Sequence, residues 1–283
     1  MKDVAIIIPA FNEAGSVRGT VDALHEAYPD AEIIVVDDGS TDATSASLAG
    51  SAARVLRHGR NRGYGASLKT GFRATSRAVF VMFDADGQHD VKDIARLVDG
   101  LAEAEMVIGQ RTARLHSSLW RMPGKWMLGR LANYLSRTRI PDLNSGLRAV
   151  RREVALRFLD ICPNGFSLSS TLTVAALAEG HEVRWLPIQV RPRGKDSRST
   201  VTVKTGFDTI LLMLRLTTLF EPLRVFLPIS VLLFLGGTSW GLPYALQHKG
   251  VSIGALLLLI SGMLTFFFGL LTDQNALLRR RQP

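Results

Sequence analysis

Two long stretches without a charged residue lie near the C-terminus, at residues 225–246 and 251–272. Each has 22 residues. As an α-helix such a stretch would extend about 33 Å, whereas the hydrocarbon core of a bilayer is about 30 Å thick. Only residues 247–250 separate the two stretches. The sequence therefore predicts two membrane-spanning helices that form a tight hairpin.

Basic residues flank the predicted hairpin and indicate its orientation. Arg215 and Arg224 precede the first stretch, and three arginines at residues 279–281 follow the second. Lysine and arginine near the ends of a span favour the cytoplasmic side. At the N-terminus, Lys2 and Asp3 are followed by an apolar run too short for a cleavable signal peptide. We therefore expect a membrane protein with two spans, whose termini and N-terminal domain are cytoplasmic.

The first two hundred residues have the alternating pattern of an α/β domain. Short apolar runs, each followed by a polar or glycine-containing turn, predict buried parallel strands at residues 4–8, 32–36, 79–83 and 106–108. The spacing of apolar residues predicts helices at residues 14–28, 65–76 and 90–104. This alternation predicts a doubly wound, Rossmann-like α/β fold, in which ligands bind beyond the carboxyl ends of the strands.

Two further segments predict helices at the membrane surface. Residues 115–139 are basic and aromatic, which is typical of an interfacial helix, although a surface helix of a soluble domain would look similar. Residues 201–222 mix apolar and charged side chains and predict an amphipathic juxtamembrane helix. We thus expect a cytoplasmic domain at residues 1–200, then this helix, and then the hairpin with its basic tail at residues 223–283.

Composition excludes several function classes but selects none. A formal charge of +9 suits nucleic acid, anionic lipid or a phosphorylated substrate equally well. The single Cys162 excludes an intramolecular disulfide. The six histidines lack metal-ligand spacing, so a zinc site is disfavoured. The nucleophile motif of serine hydrolases and the Walker motif of NTPases are both absent from the sequence, which disfavours these classes.

The strongest chemical signal is the acidic sequence DADGQHD at residues 84–90, directly after the predicted strand 79–83. A strand that ends there delivers Asp84 and Asp86 to the binding edge of the sheet. Two carboxylates suit Mg²⁺ or Mn²⁺ that also holds a diphosphate, because such ions take few protein ligands. The alternative is an acidic turn in which Asp90 caps the next helix, and the preceding buried strand disfavours it.

Polar residues also follow the first two predicted strands. Asp37 and Asp38 end the second strand, where a carboxylate can accept hydrogen bonds from a base or ribose, although the same sequence is common in turns. Asn12 and Glu13 follow the first strand. They either cap the next helix, which the sequence slightly favours, or contact a nucleotide.

A glycine-rich segment at residues 61–69 precedes the second predicted helix. Glycines at a helix start expose backbone amides to anions. We therefore interpret Gly65 and Lys69 as candidate substrate-binding residues.

Six short motifs are distributed over roughly the first 150 residues. They are IPAFNE at residues 8–13, VDDGSTD at 36–42, GYGA at 63–66, DADGQH at 84–89, GQR at 109–111 and NSG at 144–146. In their order and spacing the sequence resembles glycosyltransferase family 2, within the group of polyprenyl-phosphate sugar synthases that includes dolichol-phosphate mannose synthases and undecaprenyl-phosphate glucosyltransferases. The resemblance implies a GT-A fold, a UDP- or GDP-sugar donor and a polyprenyl phosphate acceptor.

The resemblance also implies roles for individual residues. Those expected around the nucleoside are Pro9, Phe11, Glu13, Val36 and Asp38. Those expected to hold the metal and diphosphate are Asp84, Asp86 and Gln88, with Ala85 and Ser145 among the substrate-binding residues. Basic residues expected to face the donor sugar or the acceptor phosphate are Arg111, Arg121, Arg193 and Lys195. A membrane-facing surface charge is the alternative interpretation of these arginines.

One segment departs from the family pattern. Residues 165–172 contain serines and a threonine where many relatives have an acidic or amide residue that faces the donor sugar. This departure leaves the identity of the sugar open.

The reaction that the resemblance implies is an inverting transfer, in which an oxygen of the lipid phosphate attacks the anomeric carbon. Transfer to another lipid or glycan, or a noncatalytic scaffold that binds nucleotide sugars, are the alternatives. We expect a lipid bilayer among the partners and no nucleic acid. The hairpin would also permit packing against copies of itself.

Overall fold

The computed structural model describes residues 1–111, 141–143, 145–190, 214, 217, 218, 221–248, 250 and 252–280. These residues fall into two compact units, a sheet domain within residues 1–190 and a helical unit that includes residues 221–280. The predicted interfacial helix at 115–139 and juxtamembrane helix at 201–222 lie largely outside the described residues. They stay predictions, as do the domain boundaries near residues 200 and 222.

The sheet domain is built on seven strands in the order β3-β2-β1-β4-β6-β5-β7, counted over the described part of the chain. The strands are β1 Val4–Ala10, β2 Glu32–Asp37, β3 Arg54–Arg57, β4 Val79–Met82, β5 Met106–Arg111, β6 Arg148–Arg151 and β7 Val183–Ile188. The helices are α1 Val17–Ala27, α2 Thr44–Ser47, α3 Tyr64–Arg73, α4 Asp93–Asp99, α5 Arg152–Arg157 and α6 Leu168–Ala178, with a 3₁₀ turn at Gly100–Ala102.

All four strands predicted from the sequence are present and run in one direction, as expected. β1 pairs in parallel with both β2 and β4, and β5 pairs in parallel with β7. Strand β6 lies between β4 and β5 and is antiparallel to both. The sheet is therefore mixed, and the two parallel groups of strands are joined through a single reversed strand.

Helices cover both faces of the sheet. Successive side chains of β1 point to opposite faces of the sheet, so each face supplies apolar side chains that a helix can bury. Ile6 and Ile8 pack in one hydrophobic cluster with Val21 of α1. Ile7 points to the other face, where it approaches the backbone of Gly71 in α3. Full burial of such an aliphatic side chain stabilises the fold by about 1.5–3 kcal/mol. The doubly wound arrangement predicted from the sequence is thus confirmed.

The helical unit is a hairpin of two long apolar helices, α7 at Leu223–Leu246 and α8 at Ile253–Arg280. Both are long and apolar enough to cross a bilayer, judged by length and composition. Small residues allow the two helices to approach closely. A Cβ built on Gly237 would lie only 2.9 Å from the side chain of Leu259, so a larger residue at this position would force the helices apart. The Ser230 hydroxyl donates a hydrogen bond to the Gly262 carbonyl at 2.9 Å. The predicted hairpin is confirmed, and α8 continues eight residues past the predicted end at residue 272.

Candidate functional site

The candidate site lies at the carboxyl ends of β1, β2 and β4, where loops from parallel strands meet. The loops after β1 and β2 are held together by hydrogen bonds between their backbones and side chains. The amide of Asn12 donates to Ser40 Oγ at 3.0 Å, and the amide of Thr41 donates to Asn12 Oδ1 at 2.9 Å. The amide of Glu13 donates to Thr44 Oγ1 at 2.9 Å. These loops therefore form one connected surface.

Neither Asn12 nor Glu13 caps α1 with its side chain, so the slight preference for a cap was wrong. The helix begins at Val17, and its N-cap position is Ser16. The Glu13 carboxylate instead accepts a hydrogen bond from the Ser16 hydroxyl at 2.8 Å. Asn12 has a left-handed φ of 57° and binds the β2 loop. Tertiary contacts have displaced the local capping pattern, and both residues remain candidates for nucleotide contact.

Asp37 is a buried carboxylate that closes its own turn. Its Oδ1 accepts a hydrogen bond from the Ser40 amide at 2.8 Å, and its Oδ2 accepts one from the Ser45 hydroxyl. Burial by itself raises the pKa of this carboxyl, but the hydrogen bonds and the charge of Arg57 outweigh it, so the pKa lies below its ordinary value. Asp37 is thus ionised at neutral pH and fixed.

Asp38 connects β2 to the start of α3. Its two oxygens accept hydrogen bonds from the amides of Arg62 at 2.9 Å and Gly63 at 2.7 Å. His58 Nδ1 lies 2.6 Å from Oδ1, and His58 Nε2 lies 2.9 Å from Thr70 Oγ1. With a side chain only 4% exposed, Asp38 organises the loop in front of α3. Its role as a nucleoside ligand stays a prediction.

Several groups of the glycine-rich segment before α3 are engaged within the protein, and the roles of Gly65 and Lys69 in substrate binding stay predictions. The Gly63 amide is taken by Asp38, and the Ala66 amide donates to the Asn164 carbonyl at 3.1 Å. A Cβ on Gly65 would lie 2.5 Å from the Pro163 carbonyl oxygen. The Lys69 ammonium donates to the Cys162 carbonyl at 2.5 Å. These contacts hold the segment against the loop at residues 162–166.

Asp84 lies at the centre of the candidate site, with a side chain 28% exposed. The Tyr64 hydroxyl donates to its Oδ1 at 3.0 Å, and His89 Nε2 lies 3.6 Å from Oδ2. Gly146 approaches the same carboxylate so closely that an added Cβ would overlap Oδ2 and lie 2.7 Å from Cγ. Segments from three parts of the sheet domain thus converge on one carboxylate.

The rest of the acidic loop continues from Asp84. Asp86 Oδ1 accepts a hydrogen bond from the Gln88 amide at 3.1 Å, which curls the loop around Gly87 with its left-handed φ of 68°. His89 is buried and pairs with Val190 through an antiparallel bridge. The bridge attaches the end of the acidic loop to the segment that follows β7.

Arg111 is an ordered cation at the end of β5. Its Nε lies 2.8 Å from Asp142 Oδ2, and its NH2 lies 2.9 Å from Oδ1, which is a bidentate pair. Hydrogen bonding to Asp142 raises the pKa of Arg111, and the negative charge of Asp84 contributes. The Trp185 indole donates to the Asp142 carbonyl at 3.3 Å. Asp142 therefore fixes the direction of Arg111.

Arg148 is a fully buried arginine in β6. It donates hydrogen bonds to the carbonyls of Ser145 at 2.8 Å, Leu143 at 2.6 Å and Ser169, and to the Thr173 hydroxyl. Burial lowers the pKa of Arg148 to about 10, partly opposed by the negative charges of Asp142 and Asp84. The guanidinium joins the loop before β6 to the first turns of α6 and places a fixed positive charge beneath the site.

The available donor atoms fit a hard divalent cation. Asp84 and Asp86 offer carboxylate oxygens and Gln88 offers an amide oxygen, the ligand type that Mg²⁺ and Mn²⁺ prefer. Among the described residues, no group of three His, Cys, Asp or Glu side chains is arranged to hold a metal ion. A two-carboxylate site suits an ion whose remaining ligands come from a substrate diphosphate.

The other predicted residues have different surroundings. Phe11 is 44% exposed beside the loop surface, whereas Val36 is fully buried and would offer a ligand only its backbone. Pro9 is half-buried, and Ala85 is a buried residue of the acidic loop. Ser145 is buried with a hydroxyl that finds no hydrogen-bond partner in the described part of the structure. The predictions for Arg121, Arg193 and Lys195 lie outside the described residues.

Sequence reasoning missed the residues that support the site, namely Tyr64, His58, His89, Asp142 and Arg148. Tyr64 and His89 stand inside recognised motifs, so position within a motif was an available signal. Asp142 precedes the NSG motif by two residues. His58 and Arg148 gave no signal, because their contacts with Asp38 and with Ser169, respectively, span 20 and 21 residues of sequence.

Two family models match the chain. Glycosyl transferase family 2 matches residues 5–158, and the GtrB C-terminal hairpin matches residues 221–277. Polyprenol monophosphomannose synthase of Mycolicibacterium smegmatis is 34% identical over 209 residues, which cover 66% of this chain and 77% of that protein. Glycosyltransferase AglJ of Haloferax volcanii is 25% identical, with 99% of this chain and 95% of AglJ covered.

A solved structure confirms the type of fold. The glucosyl-3-phosphoglycerate synthase of Mycobacterium tuberculosis, in complex with Mn²⁺, uridine diphosphate and phosphoglyceric acid, superposes with a TM-score of 0.62. The two chains are 20% identical, and the superposition covers 76% of this chain and 78% of the other. The sheet domain therefore has the GT-A fold that the motifs predicted, followed by a hairpin of the GtrB type.

Proposed function

Because this chain belongs to glycosyl transferase family 2 and is a glycosyltransferase, we propose that it transfers a sugar from a UDP- or GDP-sugar to a polyprenyl phosphate. The reaction inverts the anomeric carbon and depends on Mg²⁺ or Mn²⁺. The acceptor class is supported by the polyprenol monophosphomannose synthase among its relatives. The observation that carries the proposal is the partly exposed Asp84 carboxylate at the carboxyl end of β4.

The hairpin supports a lipid acceptor. A chain with two apolar helices that match the GtrB hairpin resides in the same membrane that holds a polyprenyl phosphate. Arginines that flank the helices favour cytoplasmic termini, which would keep the sheet domain on the side where nucleotide sugars are made. We propose residues 1–200 as the cytoplasmic catalytic domain, residues 201–222 as a juxtamembrane helix, and residues 223–283 as the membrane hairpin with its tail.

The proposed mechanism assigns separate tasks to the two sides of the site. Asp84, Asp86 and Gln88 would hold the divalent cation, which when bound neutralises charge on the departing nucleoside diphosphate. Asn12, Glu13 and Phe11 lie on the connected loop surface where a nucleoside would bind. Arg111, kept in place by Asp142, supplies a permanent positive charge within electrostatic range of Asp84.

The acceptor needs no strong general base. A phosphate monoester is already anionic near neutral pH, so its oxygen can attack the anomeric carbon without losing a proton. The bond from that carbon to the diphosphate oxygen breaks as the new bond forms on the opposite face. The protein's contribution is orientation and charge neutralisation, which suits a site of carboxylates and arginines.

Substituting Gly146 tests whether Asp84 must keep its present position. In Gly146→Ala the new Cβ would overlap the Asp84 carboxylate, and we expect activity to fall about 10- to 100-fold, because small misplacements of a reacting group are costly. Initial rates of glycolipid formation measure the effect. Gly19→Ala is the matched control, since a Cβ there meets no atom within 4 Å. An unchanged rate in Gly146→Ala would mean that Asp84 has no fixed position in catalysis.

The function is tested by incubating the purified full chain in detergent with a panel of UDP- and GDP-sugars, Mn²⁺ and a short polyprenyl phosphate. We expect mass spectrometry to detect one predominant polyprenyl-phosphate sugar. Formation of a glycolipid only on another lipid would overturn the acceptor class. Binding of a donor without any product would support a noncatalytic scaffold instead.

A further inference from the structure

Tyr64 connects the acidic loop to an exposed aromatic residue. Its hydroxyl donates to Asp84 Oδ1 at 3.0 Å. Its ring stacks on Phe166, with centroids 5.4 Å apart and an interplanar angle of 22°. Phe166 is 85% exposed. One side chain thus contacts a candidate metal ligand at one end and an aromatic partner on its face.

The position of Tyr64 is determined by backbone packing. It is the first residue of α3, between two glycines that press against the loop at residues 162–166. A Cβ on Gly63 would lie 2.5 Å from the Asn164 carbonyl oxygen, and a Cβ on Gly65 would lie 2.5 Å from the Pro163 carbonyl oxygen. Such close contacts leave the start of α3 little freedom to shift. The phenol is therefore held at a fixed distance from β4.

The Tyr64 phenol holds Asp84 through one of its two oxygens, because its hydroxyl donates to Oδ1. A carboxylate held through one oxygen presents its other oxygen in a defined direction. On that other side, Gly146 lacks the Cβ that would overlap Oδ2.

We propose that Tyr64 is a positioning residue for Asp84, which fixes the carboxylate so that it can bind the divalent cation, and that Phe166 keeps the Tyr64 ring in place. This inference rests on the proposed function, since it concerns the metal site of that reaction. Hydrogen bonds to metal-binding carboxylates orient these ligands, and their removal costs about 10- to 100-fold in metal affinity or activity. Asp84 binds the cation, whereas Tyr64 acts through Asp84.

The decisive variant is Tyr64→Phe, which removes only the hydroxyl and preserves the ring stack. Mn²⁺ binding to the full chain in detergent, with the nucleoside diphosphate UDP or GDP present, is followed by the electron paramagnetic resonance signal of free Mn²⁺. We expect the apparent Kd for Mn²⁺ to rise about 10- to 100-fold. We also expect kcat at limiting Mn²⁺ to fall and to recover partly when Mn²⁺ is raised. A purely structural role would not give this recovery.

Tyr28→Phe is the matched control. The Tyr28 hydroxyl donates to the Val91 carbonyl at 2.9 Å and accepts from the Ala95 amide at 3.3 Å, so this variant also loses tyrosine hydrogen bonds in the same domain. We expect its Mn²⁺ affinity to stay within about 2-fold of the wild type, because no ligand carboxylate is involved. Equal Mn²⁺ affinities in the wild type and Tyr64→Phe would overturn the inference. So would equal losses of affinity in Tyr64→Phe and Tyr28→Phe.

Phe166→Leu tests the second half of the inference. Loss of the ring stack is expected to weaken Mn²⁺ binding by about 2- to 10-fold, less than the loss of the hydroxyl. A larger effect than that of Tyr64→Phe would show that Phe166 contacts a ligand itself and would overturn its role as a support.

Failure of the inference is distinguishable from failure of the proposed function. A wild-type protein that binds Mn²⁺ with nucleotide but forms no polyprenyl glycolipid would overturn the acceptor, while the comparison of Mn²⁺ affinities still decides the role of Tyr64. A wild-type protein that forms the glycolipid, together with an unaltered Tyr64→Phe, would overturn the inference alone. Absence of Mn²⁺ and Mg²⁺ binding in the wild type would overturn both.

Discussion

Asp86→Asn is expected to lower the rate of glycolipid formation by about 10²- to 10³-fold. Removal of one group that stabilises developing charge in a transition state typically has an effect of this size. Asparagine has nearly the same shape as aspartate but lacks the negative charge that a divalent cation requires. The asparagine side-chain oxygen can still accept the hydrogen bond that the Gln88 amide now donates to Asp86 Oδ1 at 3.1 Å. We therefore expect the loop to keep its fold and the loss to appear in metal-dependent turnover.

The measurement is the initial rate at saturating donor over a series of Mn²⁺ concentrations. Asp160→Asn serves as the control, because the Asp160 side chain is 91% exposed and forms a surface ion pair with Arg73. This control should retain the wild-type rate. Full metal-dependent turnover by Asp86→Asn would remove Asp86 from the set of metal ligands.

Arg148→Met is expected to lower the free energy of unfolding by about 3–5 kcal/mol, the cost of breaking a buried charged network. Methionine fills much of the volume of the side chain but donates no hydrogen bonds. The carbonyls of Leu143, Ser145 and Ser169 would lose the guanidinium they now share. A buried acceptor without a partner costs about 1–3 kcal/mol.

Chemical unfolding of the full chain in detergent, followed by circular dichroism, measures this effect. Arg152→Met is the matched control, since Arg152 is exposed at the start of α5 and its substitution should change stability by less than about 0.5 kcal/mol. Arg148→Lys keeps the charge but loses the forked geometry and should fall between them. If Arg148→Met unfolds like the control, Arg148 does not support the domain.

The sequence was sufficient for those parts of the fold that local patterns determine. Strands β1, β2, β4 and β5 are short apolar runs, and their burial follows directly from composition. The hairpin follows from the length of two uncharged stretches. Strand β6 was not predicted, because its four residues begin and end with arginine. Arg148 is buried only because carbonyls from two other segments surround it.

The same distinction applies to the site. Asp84 and Asp86 were predicted because they directly follow a buried strand, so sequence position alone placed them at the sheet edge. The predicted role of Gly65 and Lys69 in substrate binding stays a prediction, and no sequence pattern indicated that both also contact residues 162–165. The contacts of Tyr64 with Asp84 and of Arg111 with Asp142 join residues 20 and 31 positions apart. No local pattern encodes such a pairing.

The reversed strand β6 has a consequence for how the protein is made. A nascent chain leaves the ribosome N-terminus first, so β1 to β4 can assemble while residues beyond them are still being synthesised. Until β6 arrives, β4 is an unpaired edge that invites aggregation. The same strand brings Gly146 against Asp84. A polypeptide truncated before Arg148 would therefore have Asp84 and Asp86 and still lack a finished site, so competence for catalysis arises only when translation has passed this strand.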